Sequence, residues 1–392
     1  MSTQPKPDEQ RRVIFMCDGL GLDYYHRDVM PTLQGWAETG LYREVEAVMP
    51  TVTNANNASI CCGGWPAHHG VIGNSYLYEA SDREEYVESA DLLCASTIFE
   101  RAAQRGVRSA LLTSKKKTIA LLGRNAEITL AAEDPDPGWV ERLGPAPDIY
   151  SREINYWLLQ AAEQVLRERP DIGCVYVHTT DYAMHEWPAE HPDSDEHLRG
   201  MDAALARLEQ AAPDAAFLIT ADHGMNYKRR CWDLDKACAN RGTPLHMAIS
   251  AERDKYLRHH RGFGGTAWVY LQDKADRERV RAVLEELTGV ERILNRERAA
   301  EAFGLMPERI GDLVVLGDRD TVFGHLDSEY EDLPDDYRSH GSTYELGVPL
   351  IIHNASDAPA PEFFRFNLDL ARWLYPAEKT ETARRAAAAG AE

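Results

Sequence analysis

The sequence predicts an α/β protein: a mostly parallel central sheet flanked by helices, with a smaller α+β cap inserted late in the chain. Three observations predict it. Short apolar runs alternate with amphipathic stretches, the rhythm of buried strands joined by helical crossovers. Three of those runs end in acidic or acid-plus-histidine clusters. After Asp222 the rhythm changes, and Tyr227–Gly265 reads as irregular and rich in charge and glycine.

Val13–Cys17 reads as the first strand, entering the tight segment Asp18-Gly19-Leu20-Gly21. Thr97–Gln104 reads as a helix ended by Gly106, and Val107–Thr113 as the next strand. In Glu153–Arg167, Ile154, Trp157, Leu158, Ala161, Val165 and Leu166 share one helical face, and Pro170 stops the helix. Cys174–His178 is a buried strand. Glu196–Gln210 is a helix with Leu198, Met201, Leu205 and Leu208 inward, and Ala216–Thr220 is another strand. Beyond the irregular stretch, strands Thr266–Leu271 and Leu313–Leu316 flank a helix at Asp276–Thr288. Val348–His353 returns to the main sheet and Phe363–Leu374 closes the fold as a helix. These spans divide the chain into a core, 1–227 and 336–392, and a cap, 228–335.

The 392 residues are 44% hydrophobic and 27% charged, enough apolar material for a large core and an ordinary surface. The net charge of −21 argues against nucleic acid, which needs a basic face. An anionic substrate then requires local positive charge from metal ions and a few lysines. The polar start, Met1 to Arg12, has no signal-peptide core, and no segment approaches the ~20 apolar residues of a membrane span. The expected location is the cytoplasm, with no membrane partner. Seven cysteines without a C-x-x-C pair read as reduced, buried thiols.

In an open parallel sheet, side chains at the carboxyl ends of the strands converge. Those ends here are Asp18; Thr179-Thr180-Asp181, with His185 four residues on; and Ala221-Asp222-His223. Asp and His together form the ligand set of a hydrolytic zinc site, and the lack of thiolate also admits manganese. Asp181 and His185 share a face if that segment is helical. Asp222 and His223 can reach one metal from a strand-to-loop turn. Singly, each fragment reads as a turn or a surface loop.

Met49 to Ser59 contains Thr51, Thr53, Asn54, Asn56 and Asn57. In its plainest reading, Asn54 or Asn56 caps the helix that follows. In the functional reading, the Thr53 hydroxyl sits at a helix N-terminus, where N–H groups and the dipole favour anions, and metal coordination makes it a nucleophile. In His69-Gly70-Val71-Ile72-Gly73-Asn74, Asn74 is a candidate donor to a phosphoryl oxygen.

Taken in order, Asp18-Gly19, Pro50-Thr51-Val52-Thr53-Asn54, His69 to Asn74, Thr180-Asp181 with His185, Asp222-His223-Gly224-Met225 and Ser339-His340-Gly341 resemble the alkaline phosphatase superfamily. Within it, the set is similar to the phosphonoacetate hydrolases, with nucleotide pyrophosphatase/phosphodiesterases as close relatives. The resemblance spans residues 13–353. It implies an alkaline-phosphatase-like core, an inserted cap and two zinc ions, with manganese as the alternative. One ion would be held by Asp181, His185 and His340. The other would be held by Asp18, Asp222 and His223, with the nucleophile Thr53 on it and Asn74 sharing the phosphoryl group. His340 enters only through the resemblance.

Thr53 to Ile60 resembles the phosphonoacetate hydrolase form T-N-P-N-N-L-S-I. Thr113-Ser114-Lys115-Lys116-Lys117 resembles T-A-K-D-K, whose two lysines hold the substrate carboxylate. Lys115 and Lys117 inherit that role, where the bland alternative is a solvated turn. The implied reaction cleaves the C–P bond of phosphonoacetate, or a related carboxylated phosphonate, to phosphate and a carboxylate. Three departures stand out: Ala55 for proline, Cys61-Cys62-Gly63 for a V-T-G-like turn, and Lys116 for an acidic residue. A phosphodiesterase or phosphomonoesterase of the same superfamily is the alternative enzyme, and a non-catalytic metal-binding sensor or scaffold the alternative of another class. The expected partner is a small anionic phosphonate or phosphate; a homodimer stays open. His259-His260 also looks family-like, without an assigned role.

Overall fold

The computed structural model describes residues 10–255 and 261–376; His259 and His260 lie outside them. The central sheet has seven strands, in the order Leu41–Glu46, Gly347–His353, Ala216–Thr220, Arg12–Met16, Ile172–His178, Arg108–Thr113, Ile128–Ala131. From Ala216–Thr220 to Ile128–Ala131 the strands run parallel, and Gly347–His353 is antiparallel to both its neighbours. Arg12–Met16 and Ala216–Thr220 are buried at every position, which is why they read as unbroken apolar runs. The amphipathic helices Glu153–Glu168 and Pro192–Ala211 pack with Leu158, Val165, Leu198 and Leu205 in the core.

The register of this sheet positions the site. Met16 lies opposite both His178 and Thr220, and Thr113 lies opposite His178. Four strands therefore finish level at one edge, and the residues that follow them emerge together. Gly19 turns the chain there with φ +74, and a side chain on it would meet Asp181 Cβ at 3.0 Å.

The later part of the chain builds a four-stranded sheet, ordered Leu245–Ser250, Thr266–Leu271, Leu313–Gly317, Val290–Asn295. Thr266–Leu271 alternates between two cores. Ala267, Val269 and Leu271 face a separate apolar cluster, while Trp268 and Tyr270 join the main one. The stretch expected to be irregular, Tyr227–Gly265, instead holds a strand at Arg230–Trp232, a helix at Leu234–Asn240 and the strand Leu245–Ser250. The helix is only seven residues long, and the strand is bulged between Leu245 and Met247, so neither presents a clear period. The closing helix is shorter than expected, Asp369–Leu374, because Arg365 and Phe366 donate their N–H groups to Asp369 instead of continuing a helix.

All seven cysteines are free, six of them buried. Among the described residues, no helix is long and apolar enough to cross a membrane.

Candidate metal centre and active site

Asp18, Asp181, Asp222, His185, His223 and His340 meet at the level edge of the sheet, all buried. Asp18 and Asp222 leave the ends of adjacent strands and are locked by backbone: Asp18 N–H donates to Thr179 Oγ1 (3.0 Å), and Gly19 and His223 N–H groups donate to Asp222 Oδ1 (3.0 Å each). Asp181 immediately precedes the short helix Tyr182–Glu186, which brings His185 Nε2 to 2.9 Å from Asp181 Oδ2. His340 arrives by another route. Arg338–Ser339 pairs with Asn226–Tyr227, which sets His340 beside the Asp222-His223 turn, its ring stacked on that of His223 at 3.7 Å.

The imidazoles share one arrangement. His185 Nδ1 donates to the Arg338 carbonyl (3.0 Å), His223 Nδ1 to the Gly224 carbonyl (2.9 Å) and His340 Nδ1 to the Thr51 carbonyl (2.7 Å). A neutral ring carries one proton, so each Nε2 presents a lone pair inward. Those lone pairs face carboxylate oxygens: His223 Nε2 is 3.3 Å from Asp222 Oδ2 and 3.6 Å from Asp18 Oδ1, and His340 Nε2 is 3.7 Å from Asp181 Oδ2. Acceptor facing acceptor in a buried space fits a cation between them, and backbone-anchored histidines are the usual support of metal ligands. Ligand atoms of Asp18, Asp222 and His223 lie within 4.8 Å of one another, as do those of Asp181, His223 and His340. The two buried Asp/His groups are consistent with a dinuclear metal site.

The electrostatics agree. Burial, then Asp181 and Asp222, push the Asp18 carboxyl up to about 6, and burial pushes Asp222 to about 6. Burial lowers His223 and, more strongly, His340. Burial disfavours the charged form of both kinds of group, and divalent ions placed among them would favour the ionised carboxylates and neutral imidazoles that ligate a metal. A third grouping, Asp233, Asp235 and His325, lies in the later part of the chain. Both oxygens of its Asp233 already accept hydrogen bonds, from Lys236 and Leu326.

Thr53 opens the fully buried helix Thr53–Cys62, with Val52 at the cap position. The asparagines do not cap it. Asn56 folds back from inside the helix, taking the Val48 N–H on Oδ1 (2.8 Å) and donating Nδ2 to the Val48 and Pro50 carbonyls. Thr53 Oγ1 stands 3.5 Å from Asp18 Oδ1 and 3.4 Å from His223 Nε2. Thr51, two residues earlier and outside the helix, donates to the Ser342 carbonyl and accepts from Gly341 N–H, tying this loop to the His340 segment. Asn74 is buried at the same edge, with one amide proton on the Glu252 carbonyl (3.1 Å).

A model of the type I phosphodiesterase / nucleotide pyrophosphatase family matches residues 12–343, most of the chain. The chain belongs to this family. It is a metal-dependent hydrolase of the alkaline phosphatase superfamily. Its fold superposes on phosphonoacetate hydrolase from Sinorhizobium meliloti 1021 in complex with phosphonoacetate, with a TM-score of 0.83 and 29% identity over 94% of this chain and 96% of that one. The same enzyme in complex with phosphonoformate gives a TM-score of 0.82 at the same identity and coverage. Murine ectonucleotide pyrophosphatase / phosphodiesterase 5 shares the fold, with a TM-score of 0.67 and 15% identity over 93% of this chain and 95% of that one.

The lysines lie at the same edge of this phosphodiesterase-family site but each meets a carboxylate of the protein. Lys115 precedes the helix Lys116–Leu122 and puts Nζ 3.8 Å from Asp18 Oδ2; Lys117 pairs with Asp254. Burial alone would lower Lys115, but Asp18, Asp181, Glu252 and Asp222 raise it, so it stays charged. Sequence reasoning missed two residues here. Glu252, with Oε1 3.8 Å from His340 Nε2, sits in the stretch read as irregular. His178, at a strand end already singled out, donates to Asp18.

Proposed function

We propose that the protein is a two-metal phosphonate hydrolase that cleaves the C–P bond of phosphonoacetate, or a closely related carboxylated phosphonate, to phosphate and a carboxylate. Asp181, His185 and His340 hold one ion; Asp18, Asp222 and His223 hold the other, with Thr53 beside it. Zinc suits this donor set, and manganese is the alternative. The observation that carries the reading is the inward ring of Nε2 lone pairs and carboxylate oxygens, with the Thr53 hydroxyl 3.4 Å from His223 Nε2. The 29% identity to a hydrolase seen with phosphonoacetate supports the substrate class.

When bound, the two ions neutralise the phosphonate and acidify the hydroxyl and water beside them. Thr53 Oγ1 attacks phosphorus in line and gives up its proton; the P–C bond breaks and phosphorus stays on Thr53. The helix N-terminus at Thr53 and the second amide proton of Asn74 stabilise oxygens that gain charge. Carbon is a poor leaving group. The adjacent carboxylate spreads its developing charge as an enediolate, which Lys115 and Lys117 stabilise, and a proton then converts it to acetate. Water releases phosphate and restores Thr53. The 228–335 segment acts as a cap, and its loop at Ala251–Asp254 borders the substrate through Asn74 and Lys117.

One observation favours the phosphodiesterase reading. Lys117 is engaged by Asp254 and Lys115 approaches Asp18, which reduces the charge free to hold a carboxylate. Phosphate release by the zinc-loaded protein separates the two. Phosphonoacetate should outpace phosphonopyruvate, 2-aminoethylphosphonate, a phosphomonoester and a phosphodiester. If an ester wins, the metal site and Thr53 stand, and the C–P assignment falls.

A further inference from the structure

We propose that His178 is a positioning residue that makes Asp18 bind its metal through one oxygen, Oδ1, by holding the other. The inference rests on the metal reading above. Asp18, Thr113 and His178 are all fully buried, and their hydrogen bonds run in one direction. The Lys115 backbone N–H donates to Thr113 Oγ1 (3.3 Å), and Thr113 Oγ1 lies 2.9 Å from His178 Nδ1. His178 Nε2 is 3.1 Å from Asp18 Oδ2. Beside a carboxylate, Nε2 carries the proton; Nδ1 then accepts the Thr113 hydroxyl. Each donor in this run then meets an acceptor.

Asp18 thus has two different oxygens. Oδ2 receives His178 Nε2–H and faces Lys115 Nζ at 3.8 Å. Oδ1 faces Thr53 Oγ1 at 3.5 Å and His223 Nε2 at 3.6 Å, on the metal side. Without His178, Oδ2 loses its nearest donor and the carboxylate is free to rotate or to offer both oxygens. Asn57 packs against the ring, its Nδ2 3.3 Å from each ring nitrogen and its Oδ1 accepting from Tyr176 (2.6 Å). Asn57 belongs to the helix that Thr53 opens. One imidazole therefore joins the nucleophile's helix, the first strand and the lysine-bearing turn. A fixed orientation of this kind is what outer partners of metal ligands provide, and their loss costs about 10–100-fold in affinity.

The test is metal titration of the chelator-stripped full chain with zinc and with cobalt(II), whose absorption reports ligand geometry. The natural protein should take up two ions. His178→Leu should keep one site and bind the second ion about 10–100-fold more weakly, with a changed cobalt spectrum. His178→Gln, whose amide N–H can reach Oδ2, should recover most of the affinity and the spectrum. Equal binding by His178→Leu and the natural protein would overturn the proposal, as would a folded His178→Gln that is as weak as the leucine variant. Should His178→Leu fail to fold, Thr113→Val carries the test, and undiminished binding there is the contrary result. If the natural protein itself takes up no ions, the metal reading fails first, a distinct outcome.

Discussion

At Thr53 the hydroxyl has a placement its chemistry cannot supply alone. Free threonine is a poor nucleophile at neutral pH, and here its oxygen lies within 3.5 Å of both Asp18 and His223 at the first turn of a helix. On the proposed mechanism Thr53→Ala should lower turnover by on the order of 10⁴ or more, while metal titration still finds two ions. Full activity in that variant would exclude it as the nucleophile. The lysines divide in a way the structure makes specific. Lys117 pairs with Asp254, whereas Lys115 faces the carboxylate of Asp18. Lys117→Met should therefore slow carboxylate-bearing phosphonates by about 10–100-fold, the worth of a charge-assisted hydrogen bond, and spare a phosphate ester. Lys115→Met should slow both and loosen metal. Matched losses on both substrates for Lys117→Met would remove the carboxylate role.

Among the elements, those that organise the site were legible because burial on both faces leaves unbroken apolar runs. Ala216–Thr220 and Thr266–Leu271 were read to the residue, and the acids beyond the strand ends converge by topology alone. His340 was visible only through resemblance. The element that delivers it is a two-residue strand, Arg338–Ser339, too short for any periodicity to show. Glu252 was hidden because it follows a bulged strand inside a charged stretch. The asparagine run was misread for a physical reason: Asn56 imitates a backbone peptide, closing the Val48–Pro50 loop against the helix, a job that resembles capping in sequence. Asn56→Leu leaves the Val48 N–H and carbonyl buried and unmet, the Pro50 carbonyl still accepting from Val52 N–H, and should cost about 3 kcal/mol by denaturant unfolding. Because the loop carries Thr51 and leads into Thr53, turnover should fall in the fraction that stays folded. An unchanged midpoint would mean that water replaces the amide.

Across the whole molecule, a chain of net charge −21 gathers buried carboxylates at one edge and holds its later sheet against that edge partly through one buried ion pair. Lys228 Nζ donates to Glu345 Oε1 (2.9 Å) and to the Arg319 carbonyl (3.0 Å), and Glu345 accepts from Ser342 and Asn226, so the pair ties the 319 turn to the segment after His340. Burial alone would raise Glu345, but Lys228, Ser342 and Asn226 outweigh it and lower its pKa. A lowered carboxyl contributes stability above its unfolded value, near ~4.3, and loses it as pH falls toward the folded value. Lys228→Met removes the largest lowering influence and leaves burial opposed by Ser342 and Asn226 alone, so the Glu345 carboxyl rises. That variant should lose about 3–5 kcal/mol near neutral pH, where the stranded carboxylate must ionise or take up a proton inside the protein. The loss should shrink as the pH is lowered toward 5, because the variant folds with Glu345 protonated. Adding Glu345→Gln should recover part of the stability and flatten the pH dependence, a coupling that a double-mutant cycle isolates. A Lys228→Met penalty that stays constant between pH 5 and 8 would show that the lysine acts through its contact with the Arg319 carbonyl, and that Glu345 does not depend on it.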